Sequence, residues 1–350
     1  MTVARRIVAP IQALNGGGVE KVLLRLAGQW LAMDRRVTLV IGDNRGPLRG
    51  DVPAGAEIVH LDDARYTALV RRMPGAVRAS GADVLFCPGN HYSSIAAWAR
   101  LRLGRACPPV IAKVSNSLIR RDMNAVEALG YRRWLRLHPR FLDAVVAMTP
   151  GMRDEAIRVM AMPPARVHVI ANPAPVPRAG PVPEGRFLLG VGRLAPQKRW
   201  DRAIAAMARI ADRDVKLVIF GEGSERDALG AQIARLGLHE RVALPGYADP
   251  GAAIGAAAAV VLTSDFEGVP GILREALAAG TPVVTTDSSV AVREIVTSPA
   301  QGSIVAVDDV DALVAALDHW LAPGRMRPTP VTRVDDAAAA YAALFDSLVR

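Results

Sequence analysis

Short apolar runs rich in Val, Ile and Leu alternate with helix-like segments along the first half of the chain. Most of these runs are largely apolar, and those at 84–87 and 144–148 are apolar throughout, which is typical of parallel strands covered on both faces. Segments of helical periodicity separate several of them, for example at 19–33, 67–80 and 93–103. The pattern predicts an α/β domain with a parallel sheet, whose strands are expected at 6–10, 37–41, 57–61, 84–87, 110–114 and 144–148.

A proline-rich stretch interrupts this pattern near the middle of the chain. A strand predicted at 167–170 leads into Asn172-Pro173, and four prolines follow within residues 174–185. Proline removes a backbone donor and resists helix formation, so we predict a linker at 174–185. At 350 residues the chain also exceeds the usual size of one core. We therefore predict two domains, at 1–173 and 186–328.

The alternation of strands and helices restarts after the linker, which predicts a second parallel-sheet domain of the same architecture. Ligands in such folds bind at the carboxyl ends of the strands, so two Rossmann-like domains predict a site in a cleft between those ends. An amphipathic helix is expected at 335–349. The second domain should hold strands at 187–191, 216–221, 242–244, 260–263 and 282–285, and helices at 200–211, 224–236, 252–258, 272–279 and 308–321.

Composition restricts the partners and the compartment. The net charge of +9 favours polyanions, and either a soluble basic surface or attraction to an anionic membrane leaflet accounts for it. No nucleic-acid motif accompanies the arginines, so we expect no nucleic-acid partner. Cys87 and Cys107 lack metal-ligand spacing, which indicates small core or near-surface residues in a reducing compartment. We find neither a signal-peptide pattern nor an apolar run of about 18 residues, so a cytoplasmic protein is expected.

Several glycines follow predicted strands. The first strand and helix are joined by Asn15-Gly16-Gly17-Gly18-Val19-Glu20, where glycines allow close approach of a ligand and the helix start offers N–H groups to an anion. The spacing matches neither a Rossmann fingerprint nor a P-loop, so an ordinary turn remains open. In the second domain a plain turn is equally compatible with the glycines that could let a base or ribose approach, Gly221, Gly223 and Gly246.

Two cations follow the first strand of the second domain. The turn reads Gly192-Arg193-Leu194-Ala195-Pro196-Gln197-Lys198, which places Arg193 and Lys198 five residues apart. An arginine fork and a compact lysine charge on a strand-end loop suit a diphosphate, and they can neutralise a leaving group without a metal. A solvated basic loop is the alternative interpretation.

The most specific segment runs from Ser264 to Val284. Glu267 follows a predicted strand, and Glu275 lies eight positions later, one turn into a helix whose start can direct N–H groups at an anion. One carboxylate can then bind sugar hydroxyls while the other accepts from a ribose. A glycosidase acid/base pair is the alternative, but a glycosidase needs no Arg–Lys phosphate clamp, so we favour a donor-binding pair.

Over nearly its whole length the chain resembles the retaining family 4 (group 1) glycosyltransferases of the GT-B fold. The resemblance rests on the glycine loop at 16–20, the Val169–Pro173 segment, the Arg193/Lys198 turn, the Glu-x7-Glu stretch, and Gly280-Thr281-Pro282-Val283-Val284. It extends through Arg293-Glu294-Ile295 to the final helix. In this family that helix typically crosses back to the first domain, which implies this for 329–350.

The resemblance implies roles for these residues. Arg193 and Lys198 would bind the diphosphate of a UDP- or GDP-linked sugar, Glu267 the hydroxyls of the transferred hexose-type sugar, and Glu275 the ribose. Gly192 belongs to the cation loop, and Gly17 and Gly18 would face the diphosphate across the cleft. The family generally retains anomeric configuration and needs no divalent metal. Backbone amides around Gly268–Gly271 would help hold the phosphates or sugar. The donor-binding residues implied in this stretch are Gly268, Val269, Pro270, Gly271 and Ile272.

One departure from the family concerns the acceptor side. Many members carry a histidine after the strand corresponding to 110–114, where this chain reads Ser115-Asn116-Ser117. His91 follows the preceding strand and could shape the acceptor pocket, or it could be a surface or core-edge residue. In retaining transfer the leaving phosphate can take the acceptor proton, so the family needs no separate enzymic base.

The acceptor is expected on the first domain. The segment 130–142 mixes four arginines with Trp, Leu and Phe, which suits the surface of an anionic membrane and a lipid-linked acceptor. Packing of its apolar side on the sheet is the alternative. We predict a glycosyltransferase that acts in cell-surface glycan or glycolipid synthesis. An enzyme using a sugar phosphate and a non-catalytic sugar-nucleotide-binding scaffold are the rival hypotheses.

Overall fold

The structure, a computed structural model, describes residues 2–120, 123–174, 180–331 and 336–349. The chain divides into unit 1, Met1–Ala174 with Val334–Arg350, and unit 2, Pro175–Arg333. The predicted linker at 174–185 falls partly on residues 175–179, which lie outside the described ranges, and its remainder forms no helix or strand before Phe187.

Unit 1 contains a seven-stranded parallel sheet in the order β3-β2-β1-β4-β5-β6-β7. Its strands are β1 Arg6–Ala13, β2 Arg36–Asp43, β3 Glu57–His60, β4 Val84–Cys87, β5 Val110–Lys113, β6 Ala144–Ala147 and β7 Val167–Val169. Its first five helices are α1 Gly18–Ala32, α2 Tyr66–Ser80, α3 Ser93–Leu103, α4 Ala125–Leu135 and α5 Pro150–Met160.

Unit 2 contains a six-stranded parallel sheet in the order β10-β9-β8-β11-β12-β13. Its strands are β8 Phe187–Val191, β9 Lys216–Phe220, β10 Val242–Gly246, β11 Ala259–Leu262, β12 Val283–Thr286 and β13 Gly302–Val305. Its helices are α6 Trp200–Met207, α7 Arg226–Arg235, α8 Gly251–Ala256, α9 Gly271–Ala278, α10 Val290–Ile295 and α11 Val310–Leu321.

The last helix, α12 Ala337–Leu348, packs on the core of unit 1. The Trp30 ring of α1 lies 5.2 Å from Phe345 and 5.9 Å from Tyr341, measured between centroids, and its indole nitrogen donates to the Ala338 carbonyl. Arg35 pairs with Asp346 at 2.7 Å. This hydrogen bond raises the pKa of Arg35 and lowers that of Asp346. Aromatic packing and one ion pair thus fix the chain's end to its first helix.

The predicted elements and the observed ones differ mainly at boundaries. The helix expected at 200–211 ends at Met207, and β1 continues to Ala13. Residues 329–331 were assigned to the closing segment, yet the backbone N–H of Val331 donates to Leu277 of unit 2. The sequence analysis named no helix at α5 and no strand at β13. The start of α5 did carry a signal, because the Thr149 hydroxyl caps it ahead of Pro150.

Candidate functional site

Two loops of unit 2 carry the predicted cations and the first predicted carboxylate, and the structure joins them. Residues 192–199 follow β8 and residues 263–268 follow β11, the neighbouring strand, so both loops leave the same edge of the sheet. Lys198 Nζ lies 2.5 Å from Glu267 Oε1. Only 16% of the Lys198 side chain and 11% of the Glu267 side chain are exposed. A largely desolvated ion pair therefore lies where parallel-sheet folds bind ligands.

Hydrogen bonds connect the two loops to each other. The Gln197 carbonyl accepts from the backbone N–H of Asp265 at 2.9 Å, and the Gln197 side chain donates to the Phe266 carbonyl at 2.6 Å. The Thr263 hydroxyl lies 3.0 Å from the carbonyl oxygen of Lys198. Because each loop supports the other, the separation of Lys198 and Glu267 depends on both.

A buried arginine that the sequence pattern did not reveal stabilises the loop at 263–268. The Arg202 side chain is 8% exposed, and its guanidinium donates to Asp265 at 2.6 Å and to Asp308 at 2.7 Å. Arg199 also contacts Asp265, while its hydrogen bond to Asp201 is the main cause that raises the pKa of Arg199. A basic residue on the buried face of α6 was the only sequence signal for this network.

Arg193 occupies the same turn but lies at the surface. Its carbonyl accepts from the indole nitrogen of Trp200 at 3.0 Å, which fixes the backbone of the turn. The residue is exposed, and within the described part of the chain no side chain or carbonyl pairs with its guanidinium. The predicted binding of a diphosphate by Arg193 and Lys198 stays a prediction.

Three predicted donor-site glycines lie side by side at adjacent strand ends. The N–H of Gly192 donates to Phe220, and the N–H of Gly221 donates to Gly246. A side chain at Gly221 would overlap the Gly192 carbonyl, and one at Gly192 would lie 3.2 Å from Lys198 Cε. Loop packing therefore requires glycine at Gly221, and the backbone φ of 155° favours glycine at Gly192. Loop packing also explains Gly223, where a side chain would overlap the Leu194 carbonyl.

The second predicted carboxylate lies over the first turn of α9. A side chain at Gly271 would come within 3.8 Å of Glu275 Oε1. The Ser289 hydroxyl donates to the Gly268 carbonyl at 2.7 Å and fixes the approach to this helix. Four of the predicted donor-site residues at this helix start are half-buried: Val269, Gly271, Ile272 and Glu275. Gly268 and Pro270 are buried.

In unit 1 the loops after β1, β4 and β5 meet around Gly89. A side chain at Gly89 would lie 2.9 Å from the Ser115 hydroxyl, 3.2 Å from Val19 and 3.4 Å from His91. Val19 directly follows the predicted Gly17 and Gly18. The Glu20 carboxylate folds back over Gly17, so the start of α1 already has an anion close to it.

His91 lies at the surface of this cluster. Its ring centroid is 3.8 Å from that of Tyr92, and its backbone carbonyl accepts from the Tyr66 hydroxyl. The residue is exposed on one side, while desolvation by the protein on the other lowers its pKa to about 4. The imidazole is neutral at pH 7.

The loop that replaces the family's histidine is held by two side chains that the sequence analysis did not name. Asn90 Oδ1 accepts from the backbone N–H of Ser115 at 2.6 Å and of Asn116 at 3.2 Å. Further along, Glu155 Oε1 accepts from the N–H of Leu118 at 2.6 Å. Both contacts are long-range, so no local pattern indicated them.

Among the described residues there is neither a metal-binding cluster nor a membrane-spanning helix. Within 2–120, 123–174, 180–331 and 336–349, no three His, Cys, Asp or Glu side chains gather where they could hold a metal ion. Across the same ranges, none of the helices has both the length and the apolar character needed to cross a bilayer. Metal independence stays a prediction.

Comparison with known families covers most of the chain in two adjoining parts. The family described as "Glycosyl transferase 4-like domain" matches residues 17–173, and that described as "Glycosyl transferases group 1" matches residues 177–330. The chain belongs to the group 1 family of glycosyltransferases. This confirms the family that the Glu-x7-Glu stretch and the cation loop indicated.

Curated relatives of this glycosyltransferase act on different acceptors. A Campylobacter jejuni N-acetylgalactosamine-N,N'-diacetylbacillosaminyl-diphospho-undecaprenol 4-alpha-N-acetylgalactosaminyltransferase is 27% identical over 95% of this chain and 94% of its own length. A 2-deoxystreptamine glucosyltransferase of Streptomyces kanamyceticus is 30% identical over 67% of this chain and 60% of its own.

Solved structures establish the fold class. Anabaena Alr3699/HepE in complex with UDP-glucose superposes with a TM-score of 0.75 at 19% identity, covering 98% of this chain and 95% of that one. WaaG, a glycosyltransferase involved in lipopolysaccharide biosynthesis, gives 0.75 at 16% identity over 97% and 99%. The predicted GT-B fold with two Rossmann-like domains is thereby confirmed.

Proposed function

We propose that this glycosyltransferase moves a hexose-type sugar from a nucleoside-diphosphate sugar to a saccharide or lipid-linked acceptor, with retention of anomeric configuration and without a metal. The observation that supports the donor class is the desolvated contact between Lys198 and Glu267. It pairs a cation suited to phosphate with a carboxylate suited to sugar hydroxyls. A solved structure of the same fold holds UDP-glucose, which favours the same donor class.

The proposed reaction breaks the bond between the anomeric carbon and the donor phosphate oxygen, and it forms a bond to the acceptor oxygen. The acceptor hydroxyl proton passes to the released diphosphate. Lys198, with the exposed Arg193 from the same turn, stabilises the negative charge that develops on the leaving group. Glu267 orients the transferred sugar, and Glu275 at the start of α9 holds the ribose. The glycine loops at 192, 221–223, 246 and 268–272 complete the part of the donor site that unit 2 provides.

A panel of nucleotides and nucleotide sugars tests whether the protein binds and consumes such a donor. Binding of UDP, GDP, ADP and their sugars should raise the unfolding temperature by mass action, and only the cognate nucleotide sugar should also release nucleoside diphosphate over time. A protein that binds such a donor without any turnover would instead be a sugar-nucleotide-binding scaffold.

Removing the central cation tests the mechanism. Lys198→Ala should lower kcat by about 100-fold or more, because the leaving diphosphate loses its preorganised positive charge. The matched control is Lys216→Ala, since Lys216 is exposed at the start of β9 and should leave the rate unchanged. Initial rates with the cognate donor provide the measurement, and equal rates for the two variants would remove Lys198 from the mechanism.

For the acceptor side we propose a cytoplasmic protein that works at the inner face of the cell membrane. Within segment 130–142, Leu135, Phe141 and Leu142 are buried, so part of the apolar side packs on unit 1. Four arginines of the segment are exposed, and α4 buries only Leu135. Spacings of three and four residues align Val126, Leu129 and Arg133 on one exposed face of α4. Leu137, just past the end of the helix, is also exposed, and we call these four residues the α4 stripe.

The α4 stripe has the composition of a surface that meets anionic lipid. Val126 is 80% exposed and Leu129 50% exposed, and neither is needed for the core. Arginine beside exposed apolar residues combines electrostatic attraction to the headgroups with insertion of side chains at the boundary. Such a surface would bring the protein to a lipid-linked acceptor, and His91 at the β4 loop would then face the acceptor pocket of unit 1.

A further inference from the structure

The two carboxylate oxygens of Glu267 have different surroundings. Oε1 accepts from Lys198 Nζ at 2.5 Å and from the Ser264 hydroxyl at 2.6 Å. The backbone N–H of the same residue donates to the Ser288 carbonyl at 3.0 Å. Among the residues that the structure describes, none forms a hydrogen bond or ion pair with Oε2, and Oε2 is not a buried atom without a partner. One oxygen is therefore held by the protein, and the other can accept a ligand.

Ser264 is the more rigid of the two residues that hold Oε1. Its residue surface is fully buried, and its carbonyl accepts from the Thr286 hydroxyl at 2.6 Å, which fixes the backbone from which the hydroxyl projects. A serine hydroxyl has one side-chain torsion, whereas a lysine ammonium sits at the end of a flexible chain. The direction of the Glu267 carboxylate is thus determined chiefly by Ser264.

We propose that Ser264 is a positioning residue for donor specificity. By holding Oε1, it leaves Oε2 as the single acceptor for one hydroxyl of the transferred sugar. This inference rests on the proposed function, because it needs Glu267 to face that sugar. It adds that the contact is monodentate, so one hydroxyl of the sugar should matter far more than its neighbours.

Loss of the Ser264 hydroxyl should weaken recognition of the transferred sugar and leave binding of the nucleotide unchanged. Without it, the carboxylate can turn about its last torsion while it stays paired with Lys198, and it then offers a poorly aligned oxygen to the ligand. Hydrogen bonds to charged groups contribute about 1.5–3 kcal/mol, which corresponds to roughly 10- to 100-fold in kcat/KM. The affinity for free nucleoside diphosphate should not change, since Lys198 keeps its partner and Ser264 contacts neither Arg193 nor Glu275.

The experiment combines one variant with altered donors. For wild type and Ser264→Ala, kcat/KM is measured with the cognate donor and with donors that each lack one sugar hydroxyl, and the Kd of the nucleoside diphosphate is measured by calorimetry. With the cognate donor the variant should be about 10- to 100-fold slower at an unchanged nucleotide Kd. With the donor that lacks the contacted hydroxyl, the two proteins should be equal within about twofold.

The control is Ser303→Ala, which removes a hydroxyl that accepts from Trp320 in the same unit, at β13. It should lower stability slightly and leave kcat/KM unchanged. If Ser264→Ala does not fold, Ser264→Cys keeps a weak donor of similar size and should give a smaller loss with the same dependence on the donor hydroxyl. A uniform loss with every donor, or a weakened nucleotide Kd, would overturn the positioning role.

The outcomes also separate this inference from the function on which it rests. If the wild type consumes the donor and both Ser264→Ala and Ser264→Cys do so at the same rate, the role of Ser264 is overturned and the proposed function is not. A wild-type protein that neither binds nor consumes any nucleotide sugar overturns the proposed function, and the Ser264 inference with it.

Discussion

The loops that carry Lys198 and Glu267 and the helix α4 are built in opposite ways. In unit 2, side chains from three elements hydrogen-bond almost every residue from 263 to 268, and the central ion pair is largely desolvated. In unit 1, α4 buries one of its eleven residues and presents an apolar and basic row to solvent. The first arrangement fixes geometry, and the second leaves a surface available.

This difference follows from what each region is proposed to do. Aligning a sugar for transfer requires side chains held within a fraction of an ångström, which only mutual hydrogen bonding and packing provide. Contact with a fluid lipid surface needs area and charge but no fixed partner position. Stability should therefore respond strongly to changes in the first region and weakly to changes in the second.

The largest effect on stability is expected from Arg202→Ala. Removing this buried guanidinium leaves Asp265 without its closest cation and should lower the free energy of unfolding by about 3 kcal/mol. Urea denaturation provides the measurement. The matched control is Arg209→Ala, whose pair with Asp311 is half-exposed or more on both sides and should cost under about 0.5 kcal/mol. Similar losses for both variants would mean that Arg202 does not brace the loops.

Two glycine substitutions within unit 2 compare a tightly packed loop position with an open helix position. Gly221→Ala places a methyl group against the Gly192 carbonyl and should cost about 2 kcal/mol, because two backbones must separate. It should also weaken donor binding. Gly230→Ala, in the middle of α7 with open space around it, should instead raise stability by about 1 kcal/mol. Thermal unfolding with and without donor measures both, and a stabilising Gly221→Ala would contradict the tight loop contact.

The smallest change in stability is expected on the α4 stripe. The double variant Leu129→Gln, Arg133→Gln should alter the free energy of unfolding by less than about 0.5 kcal/mol, yet it should reduce sedimentation with anionic vesicles at low salt. The control is Arg235→Gln, Leu236→Gln, a pair of the same composition exposed on unit 2. Equal recovery of wild type in the supernatant with neutral and anionic vesicles would reject the membrane surface.

Most strands were predictable because a parallel strand buried on both faces is largely apolar, as at β4 and β6, which are apolar at every position. The β13 strand was missed because it begins with Gly302 and Ser303 and two of its four residues are half-buried. The helix α5 was missed although Thr149 and Pro150 mark its start. Because aromatic residues are sparse, the sequence did not predict the aromatic cluster at Trp30, where three aromatic rings from distant segments meet.

The sequence by itself determined the two parallel-sheet halves, the family, and the glycines, cations and carboxylates of the strand-end loops, because periodicity and motif spacing are local. Only the tertiary structure decided that Lys198 meets Glu267, that Ser264 holds one oxygen of that carboxylate, and that Arg202 braces the loop beneath. Apart from Ser264, three residues before Glu267, these contacts join residues more than sixty positions apart. Their existence depends on β8 and β11 being neighbours in the sheet, which no local pattern encodes.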